Sequence, residues 1–372
     1  MVALIRKWNV AGAGLAVARE DKLLLVRGYG LANKEKSAPV EPTSLFRLAS
    51  LSKTVTAVAV LQLVQDRRLK LDDRVLPILG DMGPRPGRIA DPRVHNITVR
   101  HLLQHSGGFN RARSGDVVFL PGAADAAKRQ GAPLPPDCPT ILRDTLERKL
   151  DFTPGERFAY SNVGYCILGR VVERVAGMPY EVYARERVLA PAGAARMKVG
   201  RTLEAAEGEV TYYAYPGAKE AKAMPYGTFA VETMDSYGGW IGAPVDYLRF
   251  MLAIDGQRGA ALLNRATVAE MNAPARLQAA AHDDEGNAEG ASYGLGIRVR
   301  QLRNGVNLFH YGSLPGTSTI AVRSADGFAW VAAFNGRPQD RAVFRSELDR
   351  GLWAAKREVK TWPDGDLFER SP

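Results

Sequence analysis

Phe46-Arg47-Leu48-Ala49-Ser50-Leu51-Ser52-Lys53-Thr54-Val55-Thr56-Ala57-Val58-Ala59-Val60-Leu61-Gln62-Leu63-Val64 sets a serine three residues before a lysine at the head of a long apolar run. If the run is a helix, Ser50 and Lys53 share a face with their β-carbons about 5–6 Å apart. The first turn of a helix also carries unpaired N–H groups and partial positive charge. A nucleophilic hydroxyl needs a nearby proton acceptor and a polarised cradle for a developing oxyanion. The run is apolar nearly all round, which predicts a buried helix. A lysine in the first turn of a buried helix calls for a reason, and serine acyl-transfer chemistry supplies one.

The chain has 372 residues, enough for one large domain or two lobes. Its hydrophobic share is 46% and its charged share 24%, an ordinary globular balance. No apolar stretch approaches the roughly 18 residues of a membrane span. The start, Met1-Val2-Ala3-Leu4-Ile5-Arg6-Lys7-Trp8, lacks the apolar core of a signal peptide. The expected location is therefore cytoplasmic as written, or periplasmic or secreted if a leader was removed. The net charge of +10 raises nucleic acid as a partner. Against it, the basic residues are scattered, the clusters Arg67-Arg68 and Arg111-Ala112-Arg113 are short, and no zinc-finger or RNP pattern accompanies them, so a solvated basic surface is expected. The two cysteines, Cys138 and Cys166, argue against a disulfide framework, and the apolar helical setting of Cys166 predicts simple burial.

Residues 10–18 read as a strand, Glu20-Asp21-Lys22 as a turn and Leu23-Leu24-Leu25-Val26 as its hairpin partner. Near the other end, residues 294–303 and 306–310 flank the hairpin turn Asn304-Gly305, and 317–323 and 328–335 flank Ser324-Ala325-Asp326-Gly327. A helix over about 341–356 follows. Between these ends the chain is rich in Pro and Gly loops with helical patterns at 99–104, 139–149, 163–176 and 180–189. The expected class is α+β: an antiparallel sheet built from both chain ends and flanked by helices, with an inserted, mostly helical lobe. The expected division is 1–75 with 226–372 as the sheet domain and 76–225 as the lobe, with the active site at the seam.

Two further constellations bear on the chemistry. Tyr160-Ser161-Asn162 follows the loop Thr153-Pro154-Gly155-Glu156-Arg157-Phe158-Ala159. A phenol beside a lysine cation has its phenolate favoured and can relay a proton, and Asn162 can offer its amide to a substrate carbonyl. A buried, hydrogen-bonded tyrosine at a lobe interface is the alternative for Tyr160. His310-Tyr311-Gly312-Ser313 ends a predicted strand. An edge there would offer backbone N–H groups to an acyl group, Ser313 supplying one oxyanion donor and Ser50 the other.

In order and spacing these motifs resemble the serine β-lactamase-like superfamily: class C β-lactamases, D-Ala-D-Ala carboxypeptidases and family VIII carboxylesterases. The resemblance extends to residues 97–108 (Ile-Thr-Val-Arg-His-Leu-Leu-Gln-His-Ser-Gly-Gly), Tyr237-Gly238-Gly239, Tyr293-Gly294-Leu295-Gly296 and Phe334-Asn335. It implies Ser50 as the acylated nucleophile, Lys53 and Tyr160 as the proton relay, and Asn162, His310, Gly312 and Ser313 as the substrate and oxyanion groups, with either Lys53 or Tyr160 as formal base. Where class C enzymes carry K-T-G, this chain reads His310-Tyr311-Gly312. A lysine there attracts a substrate carboxylate, whereas an unperturbed histidine is mostly neutral at pH 7. The change favours neutral esters, although some peptidases of the superfamily also carry H-x-G.

Three patterns are set aside. Gly290-Ala291-Ser292-Tyr293-Gly294 matches the nucleophile elbow G-x-S-x-G, but the charged loop 283–289 precedes it and a strand, not a helix, follows. His101 and His105 lie four apart without the glutamate of H-E-x-x-H, so no metal is expected. Gly12-Ala13-Gly14 lacks the following helix of a dinucleotide fold, so no cofactor is expected either. The leading expectation is a serine carboxylesterase acting on a small ester or amide through a Ser50 acyl-enzyme. A β-lactamase, a D-Ala-D-Ala carboxypeptidase or D-aminopeptidase, and an acyltransferase share that chemistry. Specificity is expected in the loops 109–137 and 205–235. A non-catalytic scaffold is disfavoured because Ser50, Lys53 and Tyr160 are all present.

Overall fold

A computed structural model describes residues 1–119, 121–213, 229–275, 277 and 291–369. The strands are β1 (Gly12–Arg19), β2 (Lys22–Asn33), β3 (Ala38–Pro39), β4 (Phe46–Arg47), β5 (Lys198–Val199), β6 (Trp240–Gly242), β7 (Ser292–Tyr293), β8 (Arg298–Leu302), β9 (Gly305–Leu314), β10 (Thr317–Arg323) and β11 (Phe328–Phe334). Eight of them form one sheet in the order β3-β2-β1-β11-β10-β9-β8-β7, antiparallel throughout. The sheet therefore joins the two ends of the chain, with β1 paired to β11 from Ala13↔Phe334 to Arg19↔Phe328.

Successive side chains of these strands go to opposite faces and divide between two cores. Ala16, Ala18, Ala321, Ala329 and Val331 join the main core with the helix Ser52–Gln65. Leu15, Val17, Ile320, Val322 and Trp330 join a second core closed by the helix Arg341–Glu358, which contributes Phe344 and Leu348 one turn apart. The helix Val2–Trp8, which the sequence reading passed over, adds Ile5 to this second core.

β2 continues well past Val26. Gly28 allows that continuation, because a β-carbon there would lie 1.8 Å from the backbone oxygen of Val40. A second, three-stranded sheet, β4-β6-β5, is made of short strands that the sequence reading did not single out. The helices Val99–Leu103, Cys138–Leu146 and Asn162–Ala176 occupy the predicted helical patterns, while 180–189 is a single helical turn, Tyr180–Tyr183, followed by a π-helix, Ala184–Leu189.

Simple burial is corrected for the cysteines. Cys138 and Cys166 are buried but joined as a disulfide, with α-carbons 6.0 Å apart. The bridge ties the helix Cys138–Leu146 to the helix Asn162–Ala176. The contact arises because two packed helices bring together residues 28 apart in sequence, which spacing alone does not disclose.

Candidate active site

The approach to Ser50 is anchored from below. β4 places Arg47 in the interior, where its guanidinium lies 4.4 Å from the Tyr212 ring and 3.9 Å from Glu209. Tyr212 Oη accepts from Arg47 N–H and donates to Glu209 Oε1, each at 2.8 Å. Burial pushes the Glu209 carboxyl up, and the Arg47 charge opposes it. The chain then turns through a 3-10 segment, Ala49–Leu51, before the helix Ser52–Gln65 begins. Ala49 has φ +50°, a left-handed conformation that costs a non-glycine residue about 1–3 kcal/mol. That bend sets Ser50 at the mouth of the helix with 8% of its surface exposed.

Lys53 is fully buried in the first turn of that helix. Its Nζ donates to Ser50 Oγ at 3.2 Å, Asn162 Oδ1 at 2.7 Å and the Tyr237 carbonyl at 2.8 Å. It also lies 5.0 Å from the centre of the Tyr160 ring. Ser50, Lys53, Tyr160 and Asn162, named from sequence, thus meet at one point.

Asn162 opens the helix Asn162–Ala176, and Ser161 caps that helix by accepting from Gly164 N–H. The amide of Asn162 faces two groups: Oδ1 accepts from Lys53, and Nδ2 donates to Asp116 Oδ2 at 2.7 Å. Burial raises the Asp116 carboxyl, while Arg111, Asn162 and Lys53 pull it down. Arg111 lies 3.9 Å from Asp116 and also stacks over Tyr160, its Cζ 4.8 Å from the ring centre. Tyr160 also meets the His105 ring, centroids 4.2 Å apart. His105 is 2% exposed, and burial drives its imidazole far below the usual histidine range, reinforced by the Lys53 charge. Its Nδ1 accepts from Ser161 N–H at 3.1 Å, so the single proton resides on Nε2. His105 therefore serves as a neutral ring holding the 160–161 segment against the site.

His310 lies within β9, which continues to Leu314, so the motif does not end its strand. β8 pairs with β9 only as far as Phe309, and residues 310–314 pair with β10 alone, leaving an edge on the β8 side. His310 Nδ1 lies 2.8 Å from the Tyr311 carbonyl, which can only accept, so this bond puts a proton on Nδ1. In the neutral ring Nε2 then accepts from Tyr293 O–H, at 2.9 Å. His310 is buried at 1% exposure. Gly312 packs against the Ser50 turn: a β-carbon on it would stand 2.5 Å from the Leu48 carbonyl and 3.1 Å from Ala49 Cβ. Thr319 Oγ1 donates to the same carbonyl at 3.0 Å. These contacts place Ser313 beside the turn that carries Ser50.

Sequence reasoning missed Asp116, the Tyr237 carbonyl, His105 as a ring partner of Tyr160, and Tyr293 as the partner of His310. Ser292 is exposed at the start of β7, and the loop 283–289 before it lies outside the described residues. Of the two loops expected to set specificity, residues 120 and 214–228 also lie outside them. His101 Nδ1 accepts from Thr98 N–H at the start of the helix Val99–Leu103, and His105 follows that helix, so the two rings do not share a helical face. Among the described residues no cluster of three or more His, Cys, Asp or Glu could hold a metal ion.

The profile of the Beta-lactamase family matches residues 3–351, and the chain belongs to that family. Among curated relatives, the probable fimbrial assembly protein FimD, serogroup H1, of Dichelobacter nodosus is 36% identical over 148 residues, covering 40% of this chain and 34% of that protein. The esterase EstB of Burkholderia gladioli is 34% identical over 192 residues, covering 51% of this chain and 47% of EstB. The matched stretches thus span about a third to a half of these relatives. Among solved structures, the D-amino acid amidase of Ochrobactrum anthropi SV3 superposes with a TM-score of 0.73 at 22% identity, covering 95% of this chain and 96% of the amidase.

Proposed function

We propose that the protein is a serine hydrolase that cleaves small carboxylic esters through an acyl-enzyme on Ser50. The observation that carries this reading is the buried Lys53 amine within hydrogen-bond reach of Ser50 Oγ, next to the Tyr160 ring. In the proposed sequence Ser50 Oγ attacks the ester carbonyl as its proton passes to the Lys53–Tyr160 pair. The backbone N–H groups of Ser50 and Ser313 receive the oxyanion. The relay returns the proton to the departing alkoxide, which leaves as an alcohol. Water then attacks the acyl-enzyme, gives a proton to the same relay and releases the carboxylic acid, while Ser50 regains its hydrogen.

The preference for esters is supported by His310. Both its ring nitrogens are engaged by uncharged oxygens, and it offers no exposed cation to a substrate carboxylate. The likeness to EstB agrees with it. Amide cleavage is the second reading, supported by the near-complete coverage of the D-amino acid amidase fold.

The test compares a short-chain p-nitrophenyl ester, a chromogenic cephalosporin and a D-amino acid amide, with Ser50→Ala as control. Ester turnover far above the other two, abolished in the variant, is the expected result. Efficient cephalosporin or amide turnover overturns the ester assignment. Ester turnover that survives Ser50→Ala overturns the acyl-enzyme.

A further inference from the structure

We infer that Asp116 is a positioning residue for the Ser50–Lys53 pair, acting through the side-chain amide of Asn162. The inference rests on the Ser50 acyl-enzyme reading and assigns a group that neither the S-x-x-K nor the Y-x-N motif contains.

The argument starts from what each partner can exchange. A lysine ammonium only donates and a carboxylate only accepts, whereas a primary amide does one at each end. Asn162 stands between Lys53 Nζ and Asp116 Oδ2, 2.7 Å from each. With Asp116 ionised, only one orientation of the amide satisfies both neighbours: Oδ1 toward Lys53 and Nδ2 toward Asp116. The carboxylate thereby fixes which end of Asn162 Lys53 meets. Lys53 in turn holds Ser50 Oγ. The result is a directed chain, Asp116–Asn162–Lys53–Ser50, and Asp116 is its only anion.

Without that carboxylate the amide can rotate by half a turn and present N–H to the Lys53 amine. The ammonium then loses an acceptor, and a donor faces a donor. The pair would spend less time with Nζ aimed at Ser50 Oγ, so the loss falls on kcat and little on KM.

Asp116 also sets charge. The cations that act on it are Arg111, from the preceding helical turn, and Lys53, from the nucleophile helix. Arg148, Lys149 and Asp151 line the same small cavity. The phenols of Tyr237 and Tyr160 lie around Lys53. A carboxylate here favours the protonated relay whether the proton sits on Lys53 or on Tyr160. Removing it makes either group release its proton at lower pH.

The test is a double-mutant cycle of Asp116→Asn and Asn162→Ala, read as kcat, KM and the pH profile of kcat/KM for a p-nitrophenyl ester. Asp116→Asn is expected to lower kcat about 10- to 100-fold, as removal of a supporting hydrogen-bond partner does at metal sites. Its acid limb is expected at lower pH. In the double variant the plateau kcat should match Asn162→Ala alone, because Asp116 positions the pair only through that amide. The shift of the acid limb, a direct charge effect, should persist. Asp116→Glu, which keeps the charge, should keep the acid limb in place and recover part of the rate. It also supplies the comparison if Asp116→Asn does not fold. Multiplicative losses in plateau kcat in the double variant, or an acid limb unmoved in Asp116→Asn, overturn the inference. Failure of a fluorophosphonate to label wild-type Ser50 refutes the acyl-enzyme itself, a result separate from either of these.

Discussion

A single methyl group at Gly312 tests whether the spacing between β9 and the Ser50 turn belongs to the catalytic geometry. In Gly312→Ala the new β-carbon would lie 2.1 Å from Thr319 Oγ1 and 2.5 Å from the Leu48 carbonyl. The threonine can rotate away at the loss of its bond to that carbonyl, worth about 1 kcal/mol. The carbonyl is backbone, two residues before Ser50. Restoring ordinary contact at 3.4 Å requires β9 and the turn to separate by about 0.9 Å. A misplacement near 1 Å costs about 100-fold in rate. The overpacking should cost about 1–3 kcal/mol, roughly 1–4 °C in Tm for a chain of this size. The assay is steady-state hydrolysis of a p-nitrophenyl ester alongside thermal unfolding by circular dichroism. Because the oxyanion exists only after attack, the loss should appear in kcat with KM little changed. A folded variant within twofold of wild-type kcat would refute the reasoning, since the strand and the turn could then part without consequence for the chemistry.

Other parts of the structure give further expectations. Lys53→Met should lower kcat/KM about 100- to 10,000-fold, the range for loss of a proton-transfer group, with the rate of fluorophosphonate labelling at Ser50 as a second readout. Reducing the Cys138–Cys166 bridge reopens a loop of 28 residues, worth about 3.6 kcal/mol on the chain-entropy account and roughly 4–5 °C in Tm. Two titratable thiols in the denatured, unreduced protein would contradict the bridge. Glu147 is held by a two-pronged hydrogen bond from Arg85, which, with help from Gln130, lowers its carboxyl from 4.5 to about 2. A depressed carboxyl contributes stability above its unfolded value and loses it as pH falls toward the folded one. Urea unfolding of wild type should therefore weaken between about pH 4.5 and pH 2 more steeply than that of Glu147→Gln.

The sheet joining the chain ends was legible because its longer strands are mostly apolar runs set between hairpin turns such as Asn304-Gly305. The strands β4, β5 and β6 were not, because two or three residues carry no measurable period. β2 was read short because Gly28 and Gly30 interrupt its apolar run; in the fold they permit close backbone approach to Val40 and Ala11. Ser50, Lys53, Tyr160 and Asn162 were legible because local motifs carry them. Asp116 was not, since it lies in a loop with no pattern, and its role depends on which amide end faces it. The Tyr237 contact with Lys53 uses a main-chain carbonyl, which every residue possesses, so no choice of side chain could reveal it. The disulfide escaped for a related reason: the packing of two helices, not the spacing of two cysteines, decides whether the sulfurs meet.

The pairing of β1 with β11 has a consequence for synthesis. Ala13 is made 321 residues before its partner Phe334. Until that stretch leaves the ribosome, β1 has only its hairpin neighbour β2, and a lone hairpin is marginal in water. The turn that carries Ser50 packs against β9 and β10, so an emerging chain holds the proposed nucleophile without those strands beside it. Contacts so distant in sequence fold slowly and leave apolar strands exposed in the interval. Catalytic competence should therefore arise only after β11 is free to pair, and a nascent chain stalled before Phe328 should remain inert and depend on chaperones for solubility.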